Sequence, residues 1–157
     1  MQTPSNENTR LSDTPRASTS TSTSTSTSTS AESEPHAGSP KEIIRHHVGA
    51  RLSESAVYGG VVYLAGMVPE SGETDIQGQT RDVLAQIDRH LQEAGSDKTR
   101  LLRVEIFLAN IADIGAMNVV WDQWVSAGSA PPRATVEAKL ANPAYKIEVV
   151  ATAAVKA

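Results

Sequence analysis

The segment Pro131-Pro132-Arg133-Ala134-Thr135-Val136-Glu137 is the part of the chain best suited to chemistry. Two prolines fix the backbone and remove two donors immediately before an arginine. Beyond them the side chains of a strand alternate, with Arg133, Thr135 and Glu137 on one side and Ala134, Val136 and Ala138 on the other. A guanidinium on a strand stiffened in this way is preorganised to meet a carboxylate with two parallel N–H donors. The competing reading is a plain salt bridge to Glu137 or Glu148. Asn118 and Thr135 can line the same site, although each also reads as an ordinary residue, Asn118 on a surface and Thr135 as a strand former. Glu148 sits inside an otherwise apolar strand, either as a member of an interface ion pair or as an acid that handles water and protons.

Little else in the sequence points to chemistry. No arrangement of nucleophile, base and acid is visible, and there is no cysteine to supply a thiolate, a disulfide or a soft metal ligand. His36 lies in the N-terminal tail. His46 and His47 are neighbours on an expected strand and should face opposite ways, and His90 falls on the expected wet side of a helix. Structural or surface roles are expected for all of them. With no HExxH and no Cys/His cluster, neither a metal site nor a cofactor is expected. The glycine-bearing segments GETDIQG (72–78) and YGGVVYLAG (58–66) lack the spacing of a phosphate loop and read as turns.

The elements that must position these residues follow from periodicity. Residues 41–48 read as a first strand. Gly59-Gly60 marks a hairpin turn between Val57-Tyr58 and Val61 to Leu64, with Gly66 closing that segment. Thr74, with Gln77 three residues on, resembles a capping box opening a helix. Ile76, Thr80, Val83, Leu84, Ile87 and Leu91 line that helix's apolar face, and Gly95 ends it. In the next strand Leu102, Val104, Ile106 and Leu108 should point one way and Arg103, Glu105 and Phe107 the other. Asp113 is placed to cap a second helix with Ile114, Met117, Val120, Trp121 and Trp124 on its apolar side. Closing strands are expected at about 133–139 and 146–155. This order implies a two-layer α+β domain, one mixed sheet with two helices on one face. Phe107 and Val150 make the helix-free face too apolar for full exposure, and the natural cover in a small domain is another subunit.

Composition bounds the rest. The chain has 157 residues, and residues 18–30 are a Ser/Thr alternation that cannot build a core. Residues 1–40 are expected to be a disordered tail and residues 41–157 the folded domain. The formal net charge is −4, of which the tail carries −2 (Arg10 and Arg16 against Glu7, Asp13, Glu32 and Glu34). The remainder is mildly acidic, which gives no support to nucleic-acid binding through a basic face. No apolar run is long enough to span a membrane, and no apolar signal core is visible. A cytoplasmic protein is expected, with no membrane or nucleic-acid partner.

The segment RATVEAKLANPAYKIEVVATAAV (133–155), with YLAG (63–66) before the first helix and MNVVWDQW (117–124) in the second, resembles the YjgF/YER057c/UK114 family, the reactive intermediate deaminases, over about Ala50 to Val155. The resemblance implies a chorismate-mutase-like fold. It also implies a homotrimer with clefts between subunits, and hydrolysis of a small carboxylate-bearing enamine or imine to a 2-keto acid and ammonia. By that resemblance Arg133 binds the substrate carboxylate, Thr135 matches a small polar residue of the same strand, and Asn118 matches a helix asparagine. The glutamate that positions the attacking water corresponds to Val150, and Glu148 to the glutamate before it. The tyrosine expected before the second strand falls near Leu52.

Three functions are therefore open. The first is a deaminase-like hydrolase using Arg133, Glu148 and Asn118, with Arg133, Thr135 and Asn118 binding substrate. The second is non-catalytic binding of small carboxylate metabolites, favoured by valine at position 150. The third is a structural or chaperone-like trimer. The endoribonuclease activity also linked to the family is disfavoured by the acidic charge.

Overall fold

The computed structural model describes residues 42–157. The expectations for residues 1–40 lie outside the described residues. The element order is β1 (Ile44–Val48), β2 (Ser53–Tyr58), β3 (Val61–Leu64), α1 (Ile76–Glu93), β4 (Leu101–Leu108), α2 (Ile114–Trp124), β5 (Arg133–Glu137) and β6 (Ile147–Ala154). Single-turn 3₁₀ segments precede β4 and α2.

The strands form one six-stranded sheet in the order β1-β2-β3-β6-β4-β5. All pairs are antiparallel except β4 with β5, which run parallel across the α2 crossover. Parallel neighbours need such a crossover, and α2 supplies it. Gly59 and Gly60 both adopt positive φ (60° and 82°) in the β2–β3 turn, the backbone a two-residue hairpin demands.

The last strand is the centre of the core. Ile147, Val149, Ala151 and Ala153 are fully buried, and the residues between them are half-buried. With Val62, Leu64, Val104, Ile106 and Leu108 they form the sheet surface on which both helices lie. Val83, Leu84, Ile87 and Leu91 of α1 and Met117, Val120 and Trp121 of α2 complete the layer. Each buried Leu or Ile contributes about 1.5–3 kcal/mol relative to exposure. The Trp124 indole N–H donates to Asp88 Oδ2 at 2.8 Å and ties the two helices together. This is the expected two-layer α+β, chorismate-mutase-like architecture.

Four details differ from expectation. The N-cap of α1 is Asp75, not Thr74: its Oδ1 accepts the Gly78 N–H at 2.9 Å. That bond also draws the Asp75 carboxyl below its usual pKa. At the other end Gly95 (φ 76°) and the Ser96 N–H, which bonds to the Leu91 carbonyl at 2.7 Å, close the helix as expected. In β4 a register shift between Leu101 and Arg103 puts Leu101 in the core and leaves Leu102 48 % exposed. Asp113 makes no side-chain cap bond to α2; Asn110 Oδ1 accepts the Ala112 N–H one turn earlier. His90 is buried rather than wet, at 5 % exposure.

The polar residues on the buried flank of α1 are mostly satisfied. Gln79 Nε2 donates to the carbonyls of Glu73 (2.8 Å) and Ala144 (2.9 Å), and its Oε1 accepts the Lys146 N–H (2.7 Å), fastening α1 to the start of β6. Gln86 donates to the Val68 carbonyl at 2.9 Å.

Candidate functional site

Arg133 opens β5, where its Cα pairs with Val104, while Thr135 pairs with Ile106 and Glu137 with Leu108. Partners in register share a face, and Val104, Ile106 and Leu108 are the buried, helix-side residues of β4. Arg133, Thr135 and Glu137 therefore take the helix side of the sheet. β5 is an edge strand, so only α2 reaches over it.

There α2 presents Asn118 and Trp121. Arg133 Nη1 donates to Asn118 Oδ1 at 3.0 Å, and the guanidinium lies over the Trp121 ring, 4.9 Å from its centroid. An arginine stacked on an indole and held by an amide is oriented without being neutralised. Among the described residues no carboxylate pairs with it. Glu137, one of the two candidate salt-bridge partners, instead accepts the Ile111 N–H at 3.0 Å. Arg133 is exposed and borders an open groove of about 190 Å³ with Arg103, Pro132 and Ala134. Thr135 Oγ1 is buried and has no hydrogen-bond partner. A buried hydroxyl without a partner is costly unless something else occupies its lone pairs or takes its proton.

The structure thus brings Arg133, Asn118 and Thr135 into one neighbourhood. It does not bring Glu148 to them. Glu148 pairs with Phe107, and β4 residue 107 belongs to the helix-free face with Arg103 and Glu105. Within one chain Glu148 and Arg133 stand on opposite sides of the sheet, so the other candidate salt bridge is also not made. The Glu148 carboxylate borders a separate groove of about 280 Å³ with Leu52, Glu54, Gly66 and Met67. Gly66 passes so close that an added Cβ would collide with Glu148 Oε1. Val150 is half-buried two residues along the same face, so this face keeps a carboxylate beside the valine.

The helix-free face is partly apolar, as expected. Tyr63 is 50 % and Val136 47 % exposed there, with Phe107 and Val150 half-buried between them. At the opposite edge of the sheet the structure assembles three residues that sequence spacing had kept apart. His47 has a left-handed backbone (φ 52°), which breaks the alternation of β1. Its Nε2 reaches Glu93 Oε2 at 2.7 Å, and His90 Nδ1 lies 3.3 Å from the same oxygen. The bond from His47 holds the Glu93 carboxyl below its usual range; burial opposes it, and the nearness of both histidines adds to the lowering. The only signal for this cluster in the sequence was the His-x-x-Glu spacing at 90 and 93, which places both residues on one helix face.

The fold and site define an α+β domain with a preorganised cationic edge and a carboxylate on the reverse face. Residues 45–155 match the family described as Endoribonuclease L-PSP. A RutC family protein from Haemophilus ducreyi is 48 % identical over 113 residues, which cover 72 % of this chain and 97 % of that protein. The RutC family protein YoaB from Escherichia coli K12 is 46 % identical over 113 residues, 72 % of this chain and 98 % of that protein. The crystal structure of a member of the YjgF protein family from Neisseria meningitidis is 47 % identical, with a TM-score of 0.72 over 74 % of this chain and 97 % of that one. The chain belongs to the YjgF/YER057c/UK114 family, the RidA-like proteins. No helix among the described residues is long and apolar enough to cross a membrane.

Proposed function

We propose that the protein hydrolyses a small carboxylate-bearing enamine or imine to a 2-keto acid and ammonia, in a cleft that two copies of the chain complete within a homotrimer. The observation that carries this reading is Arg133, held by Asn118 and Trp121 and paired with no carboxylate among the described residues. Its remaining N–H groups are the donors a substrate carboxylate needs. The unpartnered Thr135 hydroxyl, two residues along the same strand face, supplies a further polar contact for substrate.

Glu148 supplies the base. The enamine takes a proton at carbon to become the protonated imine, and Glu148 then accepts a proton from a water molecule as the water oxygen bonds to the imine carbon and the C=N π electrons neutralise the nitrogen. Returning that proton to nitrogen turns the resulting amino alcohol into its ammonium form. The C–N bond then breaks, ammonia leaves, and the hydroxyl gives its proton to Glu148 as it becomes the keto oxygen. The two groups lie on opposite faces of one sheet, so a neighbour's Glu148 must face a given chain's Arg133. The partly apolar helix-free face supports cover by that neighbour.

The test is ammonia release from freshly generated 2-aminoacrylate. The wild type accelerates it, and Arg133→Ala abolishes the acceleration while keeping the fold. Val150 favours a second reading, binding without hydrolysis. It predicts saturable heat with small 2-keto acids, lost in Arg133→Ala, together with ammonia release no faster than in buffer.

A further inference from the structure

His47, His90 and Glu93 lie at the β1 edge of the sheet, five strand spacings from the β5 edge that carries Arg133, on the order of 24 Å away. The deamination chemistry does not use them. His47 Nε2, His90 Nδ1 and one Glu93 carboxylate oxygen all lie within 4.8 Å of one another. His90 is buried, its side chain only 6 % exposed, and its Nδ1 has no hydrogen-bond partner. The Glu93 oxygen lies 3.3 Å away, within ion-pair reach but not placed to make a hydrogen bond with Nδ1. A buried imidazole nitrogen aimed at a carboxylate and a second imidazole, and bonded to neither, is short of a ligand.

We propose that this cluster binds a divalent transition-metal ion of the zinc class, with His47 Nε2, His90 Nδ1 and Glu93 as its three protein ligands. Two imidazoles and one carboxylate are a donor set that zinc and its first-row neighbours favour over magnesium or calcium. Bonds of about 2.0–2.2 Å in tetrahedral geometry place ligand atoms about 3.3–3.5 Å apart. The His90–Glu93 separation of 3.3 Å already meets this, and the His47–Glu93 pair must open from 2.7 Å.

The elements suit the task. His90 and Glu93 share one face in the last turn of α1, and the left-handed backbone at His47 ends β1's regular alternation where its side chain reaches that face. His47 and Glu93 are partly open to water, so an ion has a way in and a fourth position for a solvent molecule. One group opposes the ion: the Arg89 Nη2 lies 3.4 Å from His90 Nε2. That contact is long and Arg89 is exposed, so its side chain can turn to solvent when Nε2 carries the proton that Nδ1 ligation requires. Bound metal would clamp the outermost strand to the helix layer.

The experiment uses untagged full-length protein stripped with chelator. It is titrated with Zn²⁺ by calorimetry and with Co²⁺ by visible absorption. The expected result is one ion per chain, Co²⁺ bands in the intensity range of four-coordinate sites, and a Tm raised by Zn²⁺. His47→Ala and Glu93→Gln, both at exposed positions and checked for folding by circular dichroism, should each weaken binding at least tenfold and remove the Tm rise. His36→Ala and His46→Ala should change neither. No uptake by the wild type, or uptake that survives both His47→Ala and Glu93→Gln, overturns the proposal.

Discussion

Gly66 shows how closely the backbone is fitted to the Glu148 carboxylate, the base of the proposed reaction. A Cβ at this position would meet the oxygen, carboxyl carbon and Cγ of Glu148, the far end of a flexible side chain rather than backbone. Gly66→Ala should therefore be cheap for folding and costly for chemistry. The carboxylate swings out of the way, the Tm stays within a few degrees of wild type, and ammonia release falls by at least tenfold. Glu148→Gln gives the reference, since it removes the base without moving the chain. A Gly66→Ala protein as active as wild type would mean that Glu148 is not held where the reaction needs it. At this scale Arg133 differs in kind. Its position depends on an amide and an indole from α2, so in the proposed reaction Asn118 and Trp121 would act on substrate through the guanidinium they orient.

The elements that carry these residues are tied by carboxylates that accept backbone N–H groups, two of them as helix caps. Asp75 caps α1, Asp97 caps the turn that leads into β4, and Asp82 accepts the backbone N–H groups of Glu70 (2.6 Å) and Ser71 (2.9 Å). The Thr99 hydroxyl and then Lys156 hold Asp97 at about 2. At Asp82 burial pushes the pKa up, but the two backbone bonds and the neighbouring side chains outweigh it. All three folded-state values lie below the ordinary 3.8. A depressed carboxylate stabilises the fold fully above its unfolded value and loses that contribution as pH falls through the folded one. The Tm should be flat from neutral pH down to about 4.5 and then fall steadily toward pH 2. In Asp97→Asn that decline should be shallower. Much of this scaffold was legible in the sequence, because α1, the glycine hairpin and β6 each have one strong period and clear punctuation. Thr74 and Asp75 both satisfy capping chemistry, and only the backbone geometry decides between them. The bulge at Leu101–Arg103 leaves no mark in composition. Gln79 and Gln86 bond to loops that pass over the flank of α1, and His90 packs against His47 of β1; helical periodicity says nothing of either.

On the scale of the whole molecule the decisive fact is the register of β4 between its two neighbours. Alternation along β5 and β6 was readable from the sequence, and it grouped Arg133 with Thr135 and Glu148 with Val150. Val150 and Phe107 also marked the Glu148 side of β6 as the helix-free face, but which side Arg133 took was not readable, because it depends on strand order and on the parallel pairing of β4 with β5. That pairing sends Arg133 to one side and Glu148 to the other. A single chain therefore cannot bring both to one small substrate, whereas in the proposed trimer each cleft would take its guanidinium from one chain and its carboxylate from the next. This arrangement makes an unusual prediction about inactive proteins. Arg133→Ala and Glu148→Gln should each be inactive as homotrimers. Co-expressed in equal amounts, they should assemble at random, and about one cleft in four would then combine an intact arginine with a neighbour's intact glutamate. Ammonia release should return to about a quarter of the wild-type rate per chain, from two preparations that have none alone. If both groups acted within one chain, no mixture could recover activity, because every chain would lack one of the two.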